Sequence, residues 1–133
     1  MSRPTKYYIA TSFHNKEAHK ECRRFFDDRG YELTFDWTVY PFIPDPYVMN
    51  IVAEKEIAAV KAADFVVVLL PGGRGTHTEL GAAIAHDKPV FLVAPHPQQL
   101  LDSQGLTNPF YYHSSIQVVS RIESIPNKIE SAA

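Results

Sequence analysis

The segment Gly72-Gly73-Arg74-Gly75-Thr76-His77-Thr78-Glu79-Leu80-Gly81 gathers residue types that can do chemistry. Three glycines within four positions let backbone approach a ligand closely and allow positive φ. A helix starting just after them offers free N–H groups, which suit an anion. Arg74 adds a fixed charge and a forked donor. The segment is not a Walker loop, since Gly-Lys-Ser/Thr is missing, nor a G-x-G-x-x-G fingerprint opening the first helix. Glu79 falls in the first turn of this helix. A carboxylate there can serve only the helix dipole, worth about 0.3–1 kcal/mol. It can also attack an anomeric carbon and hold a covalent glycosyl intermediate. His77, two residues earlier, is a candidate for substrate contact or acid–base work.

Other candidates lie elsewhere in the chain. Glu56 sits on a helix eight positions before Asp64. It reads either as a solvated helix residue beside Lys55 and Lys61 or as the second carboxylate of a retaining pair, which needs roughly 5–5.5 Å between the groups. Trp37, the single tryptophan, is either core or a platform for a planar base. Asp36 beside it can bond a sugar hydroxyl or cap a turn. The six histidines form no metal-ligand spacing, and no metal or cofactor is expected. Cys22 reads as buried filler in an amphipathic helix.

These residues need a frame. Residues 7–10 are apolar and aromatic and read as a first strand, ending in Thr11, Ser12 and Phe13. Residues 15–28 carry Ala18, Cys22, Phe25 and Phe26 at helical spacing, with Arg29-Gly30 as a stop. Residues 31–37 alternate as a second strand, followed by a loop broken by Pro41, Pro44 and Pro46. A helix is expected over residues 48–63, with Ile51, Val52, Ile57, Val60 and Ala63 inward. Residues 65–70 are apolar on both faces, as in a central parallel strand. A third helix over residues 76–86 points Leu80, Ala83 and Ile84 inward. A fourth strand spans 89–94, a long polar loop 95–114 and a short fifth strand 116–119. A last helix over 123–131 is weakened by Pro126. This rhythm predicts an α/β fold with a parallel sheet of about five strands between helices. Ligands in such sheets sit at the carboxyl ends of the strands, where strand order reverses.

Residues 7–13, residues 56–70 and above all Gly-Arg-Gly-Thr-His-Thr-Glu-Leu-Gly-Ala-Ala resemble the nucleoside 2-deoxyribosyltransferase family, whose relatives include nucleoside 5′-monophosphate N-glycosidases. The resemblance runs from about Lys6 to Pro95. It implies a flavodoxin-like (Rossmann-like) three-layer sandwich over a single 1–133 domain. It places the family's nucleophile on Glu79 and a second acidic residue, which helps position or protonate the reacting groups, on Glu56. Thr11, Ser12 and Phe13 fall on the loop that lines the sugar and base pocket. It also implies dimers or higher homo-oligomers. The transferases carry an Asp six residues before the nucleophile and the monophosphate hydrolases a Ser near there; this chain has Gly73. Arg74, Thr76 and His77 are then the residues left to supply phosphate or base contacts.

Composition narrows the classes further. The 133 residues carry a formal net charge of −2, which argues against nucleic acid or an anionic membrane as main partner. A single cysteine forms no intrachain disulfide, and a cytoplasmic location is expected because no signal-like apolar run opens the chain. No apolar run approaches the roughly 20 residues of a membrane helix. The expected partner is therefore a small nucleoside or nucleotide whose N-glycosidic bond is cut, with water or a second base as acceptor. Two other readings stand beside it: cleavage of the nicotinamide–ribose bond of NAD, as in TIR-like domains, and a nucleotide-sensing module without turnover.

Overall fold

A computed structural model describes residues 3–132 of the chain. Five parallel strands, β1 (Lys6–Thr11), β2 (Glu32–Leu33), β3 (Phe65–Leu69), β4 (Val90–Val93) and β5 (Ile116–Val119), pair in the order β2-β1-β3-β4-β5. Four helices connect or follow them: α1 (Lys16–Asp27), α2 (Pro46–Ala62), α3 (Arg74–Ala85) and α4 (Ile125–Ala132). The chain steps from β1 outward to β2, then returns across β1 to β3. Strand order therefore reverses between β1 and β3, and the crevice for a ligand opens at their carboxyl ends. This is the flavodoxin-like arrangement expected from the sequence.

Two apolar layers flank the sheet. Tyr8, Ala10, Val66, Val68 and Leu92 pack under Ala59, Val60, Leu80 and Ala83 of α2 and α3. Tyr7, Ile9, Phe65, Val67 and Phe91 pack under Cys22 and Phe26 of α1 and Ile125 and Ile129 of α4. Period-2 alternation along β1 sends neighbouring tyrosines to opposite layers. All five residues of β3 are buried, which explains its apolar run. The Asp64 carboxylate accepts hydrogen bonds from the Thr5 and Lys6 N–H groups, both 2.9 Å, and ties the start of β3 to that of β1.

Local chemistry corrects several sequence expectations. The second strand is only Glu32–Leu33 rather than residues 31–37. Beyond it Asp36 accepts from the Thr38 N–H and caps a 3-10 turn, Trp37–Val39. The alternation there reflects inward packing of Phe35 and Trp37, not strand pairing. Helix α2 starts at Pro46 rather than 48, because Asp45 accepts from the Tyr47 and Val48 N–H groups and proline suits the first helical position. Ile57 is 39% exposed instead of inward, and Ala59 takes that place. Pro126 lies in the first turn of α4, where it costs no hydrogen bond. Gly30, at φ +83°, ends α1 as anticipated. Gly72, Gly73 and Gly75 do not use positive φ: among the described glycines only Gly30 and Gly105 do.

Among the described residues no helix is long and apolar enough to cross a membrane.

Candidate active site

Glu79 lies one turn into α3 and is 5% exposed. Helix α3 begins at Arg74 rather than 76, so Glu79 falls in its second turn rather than its first, where α3 packs on β1 and α2 and the carboxylate meets Tyr8 and Glu56. The Tyr8 hydroxyl donates to Glu79 Oε2 at 2.9 Å and approaches Glu56 Oε2 at 3.4 Å. The one hydroxyl thus brings the two carboxyl groups together.

Electrostatics follow from this contact. Burial first, then the hydrogen bond and charge of Glu56, push the Glu79 carboxyl well above the ordinary carboxylate range, while the Tyr8 hydrogen bond pulls it back. Burial, then the charges of Glu79 and Glu56, push the Tyr8 hydroxyl far above the usual phenol range, so it stays a donor. The raised Glu79 carboxyl is therefore the one that tends to keep its proton in the fold.

A cavity of about 360 Å³ opens over this pair. Its wall includes Thr11, Ser12, Phe13, Trp37, Glu56, Gly73, Arg74, Gly75 and Glu79, all singled out from the sequence. It also includes His14, Phe42 and Thr76. The rings of Phe13 and Phe42 lie 4.8 Å apart, and Phe42 lies 6.0 Å from Trp37. Together they form an aromatic wall suited to a planar base. The Trp37 indole N–H donates to the Ile9 carbonyl at 3.0 Å. The Thr11 hydroxyl is committed, donating to the Leu69 carbonyl at 2.8 Å and accepting from Asn15 Nδ2 at 3.0 Å.

The glycines of the β3–α3 turn differ in role. A Cβ on Gly72 would stand 2.7 Å from Thr76 Cγ2, too close for any side chain. A Cβ on Gly73 or Gly75 would meet nothing within 4 Å. The Thr76 hydroxyl accepts from the Gly73 N–H at 3.0 Å and fixes the helix entry.

Three of the sequence candidates sit outside this cavity. Asp36 pairs with Arg23 at 2.9 Å and caps its own turn. Burial tends to raise its carboxyl, but the Thr38 hydrogen bonds and the His19 and Arg23 charges outweigh it and hold the carboxyl low. Gly72 lines neighbouring recesses instead. His77 is clamped, with Nδ1 2.7 Å from the Gly73 carbonyl and Nε2 2.6 Å from the Tyr111 hydroxyl. The carbonyl accepts only, so Nδ1 carries a proton and donates to it. Among the described residues no group of three or more His, Cys, Asp or Glu is placed to hold a metal.

The profile of the nucleoside 2-deoxyribosyltransferase family matches residues 7–118. The chain belongs to this family. Solved structures share the fold. A 2-deoxyribosyltransferase from Bacillus psychrosaccharolyticus is 21% identical, with 92% of this chain and 91% of that one covered and a TM-score of 0.69. A 2-deoxyribosyltransferase from Leishmania mexicana is 18% identical, with 98% and 100% covered and a TM-score of 0.66. A CMP N-glycosidase from Clostridium botulinum is 16% identical, with 95% and 99% covered and a TM-score of 0.61. No match was found among curated proteins.

Proposed function

We propose that the protein cleaves the N-glycosidic bond of a nucleoside or nucleoside 5′-monophosphate, with Glu79 as nucleophile. The observation that carries this reading is the buried Glu79–Tyr8–Glu56 cluster on the floor of an aromatic-walled cavity. Family membership supports the same chemistry.

The proton held by Glu79 organises the reaction. A Glu79 oxygen bonds the anomeric carbon as the C–N bond breaks and its electron pair leaves on the base nitrogen. The Glu79 proton passes to Glu56 as the nucleophile engages, and Glu56 then delivers it to that nitrogen, so the base departs neutral. Tyr8 bonds whichever carboxylate is charged. The glycosyl ester is then resolved by water, giving free sugar, or by a second base, giving transfer. Ser12, Phe13, Trp37 and Phe42 hold the sugar and base, and Arg74 faces a 5′-phosphate. A cytoplasmic homo-oligomer acting on this small molecule belongs to the same proposal.

Incubation with a panel of nucleosides and monophosphates, with free base measured by chromatography, tests it. Base release is expected from the parent and a loss of at least about 10²-fold in Glu79→Gln, as expected for a nucleophile. Rapid quench and intact-mass measurement should show a glycosyl group on the peptide holding Glu79. Equal release by Glu79→Gln overturns the assignment. Saturable binding with no release from any member leaves a nucleotide-sensing module instead.

A further inference from the structure

Three recesses meet at the turn between β3 and α3. The Glu79 cavity has Gly73 and Arg74 in its wall. An open saddle beside it is lined by Gly72, Gly73, Arg74, His77 and Thr78. A further cavity of about 490 Å³ shares Gly72 and His77 with that saddle and continues to Asp102, Asn108 and Tyr111. The shared residues make one groove. Both end cavities fall in the roughly 300–1,000 Å³ range of small-ligand sites.

We infer that the groove takes a nucleotide whose 5′-phosphate is extended through a pyrophosphate to a second sugar-bearing group, such as a dinucleoside pyrophosphate. The inference rests on reading the Glu79 cavity as the site of the reacting riboside.

The glycine at 73 is the first support. Its φ of −110° is open to any residue, and an added Cβ would meet nothing within 4 Å. Neither backbone nor packing requires glycine there. Its effect is to leave open space where the Glu79 cavity adjoins the saddle.

Arg74 is the second support. Its side chain is exposed and joins neither ion pair found among the described residues. A guanidinium at the junction offers forked donors to a diphosphate. The far cavity is the third. Asp102 spends one carboxylate oxygen on the Gln104 and Leu106 N–H groups, both at 2.9 Å. The other oxygen has no hydrogen bond among the described residues. A carboxylate repels a further phosphate and accepts from a sugar diol. Cavity, cation and carboxylate thus succeed one another as riboside, pyrophosphate and second sugar would.

The test uses ligands sharing one base: the nucleoside, its 5′-monophosphate, its diphosphate sugar and its symmetrical dinucleoside pyrophosphate. Calorimetry on Glu79→Gln keeps each ligand intact, and base release is followed with the parent. Affinity should rise at least tenfold from the monophosphate to the dinucleoside pyrophosphate. An equal rise for the diphosphate sugar assigns the gain to the second sugar; a smaller one brings in the second base. Gly73→Leu, which fills the open space at the saddle, and Asp102→Asn, which keeps the oxygen used by the turn, should each remove most of that rise. Equal affinity for monophosphate and extended ligands, or a rise that both variants leave intact, overturns the inference. Base release from the monophosphate with no such rise sinks the inference and keeps the proposed function. The rise without base release from any ligand does the reverse.

Discussion

Replacing Glu79 by Gln should make the protein more stable as pH rises, and the size of the effect follows from linkage. The Glu79 carboxyl titrates near 4.5 when unperturbed and well above that in the fold, through burial and the Glu56 contact. Between those two values the folded chain holds about one proton more than the unfolded chain. The sign is then fixed: stability falls as pH rises across this window, at up to about 1.4 kcal/mol per pH unit. Below the lower value both states are protonated and the cost vanishes. Across three pH units the loss amounts to at most about 4 kcal/mol, against a typical total of about 5–15. Gln keeps the size of the side chain, accepts from Tyr8 and donates to Glu56, so it removes the titration and little else. His19 opposes this slope in the parent, since burial lowers its imidazole to about 4 and stability is lost as pH falls from its ordinary value toward that one. It is present in both proteins and cancels in the difference. Urea unfolding of parent and variant at pH 5, 6, 7 and 8 provides the assay. The variant's advantage should grow with pH. Parallel curves would refute the raised Glu79 carboxyl.

Two further outcomes are expected. Tyr8→Phe removes the hydroxyl that bonds both carboxylates while keeping the ring in its layer; base release should fall about 10–100-fold in kcat, with a stability change near 1 kcal/mol from a lost buried hydrogen bond. Gly72→Ala, whose Cβ would press on Thr76, should cost about 1–3 kcal/mol by overpacking, whereas Gly75→Ala, with open space in a helix, should gain up to about 1 kcal/mol in thermal unfolding.

Much of the frame was legible because burial writes a pattern. The run in β3 and the amphipathic spacing in α1 reflect one-sided or two-sided contact with the core. Glu79 was legible from its place after the central strand and from family resemblance. Tyr8 was not. It stands beside Tyr7 in an apolar run, and only strand register decides which hydroxyl faces the carboxylates. Phe42 was hidden for another reason: it joins the aromatic wall through a proline-rich loop that carries no periodicity. Asp36 and His77 stand outside the Glu79 cavity because protein partners hold them, Arg23 and Tyr111, that lie 13 and 34 residues away. Pairings at that distance leave no local trace.

Trp37 gives the cavity a built-in optical reporter. It is the chain's only tryptophan, 3% exposed, and it lies in the cavity wall with its indole 5.1 Å from the His19 ring. All indole emission therefore comes from this one place. A bound base should change its intensity without a label, and the same signal follows unfolding as the indole reaches water. One cuvette can then separate ligands that enter the cavity from those that only reach the far end of the groove.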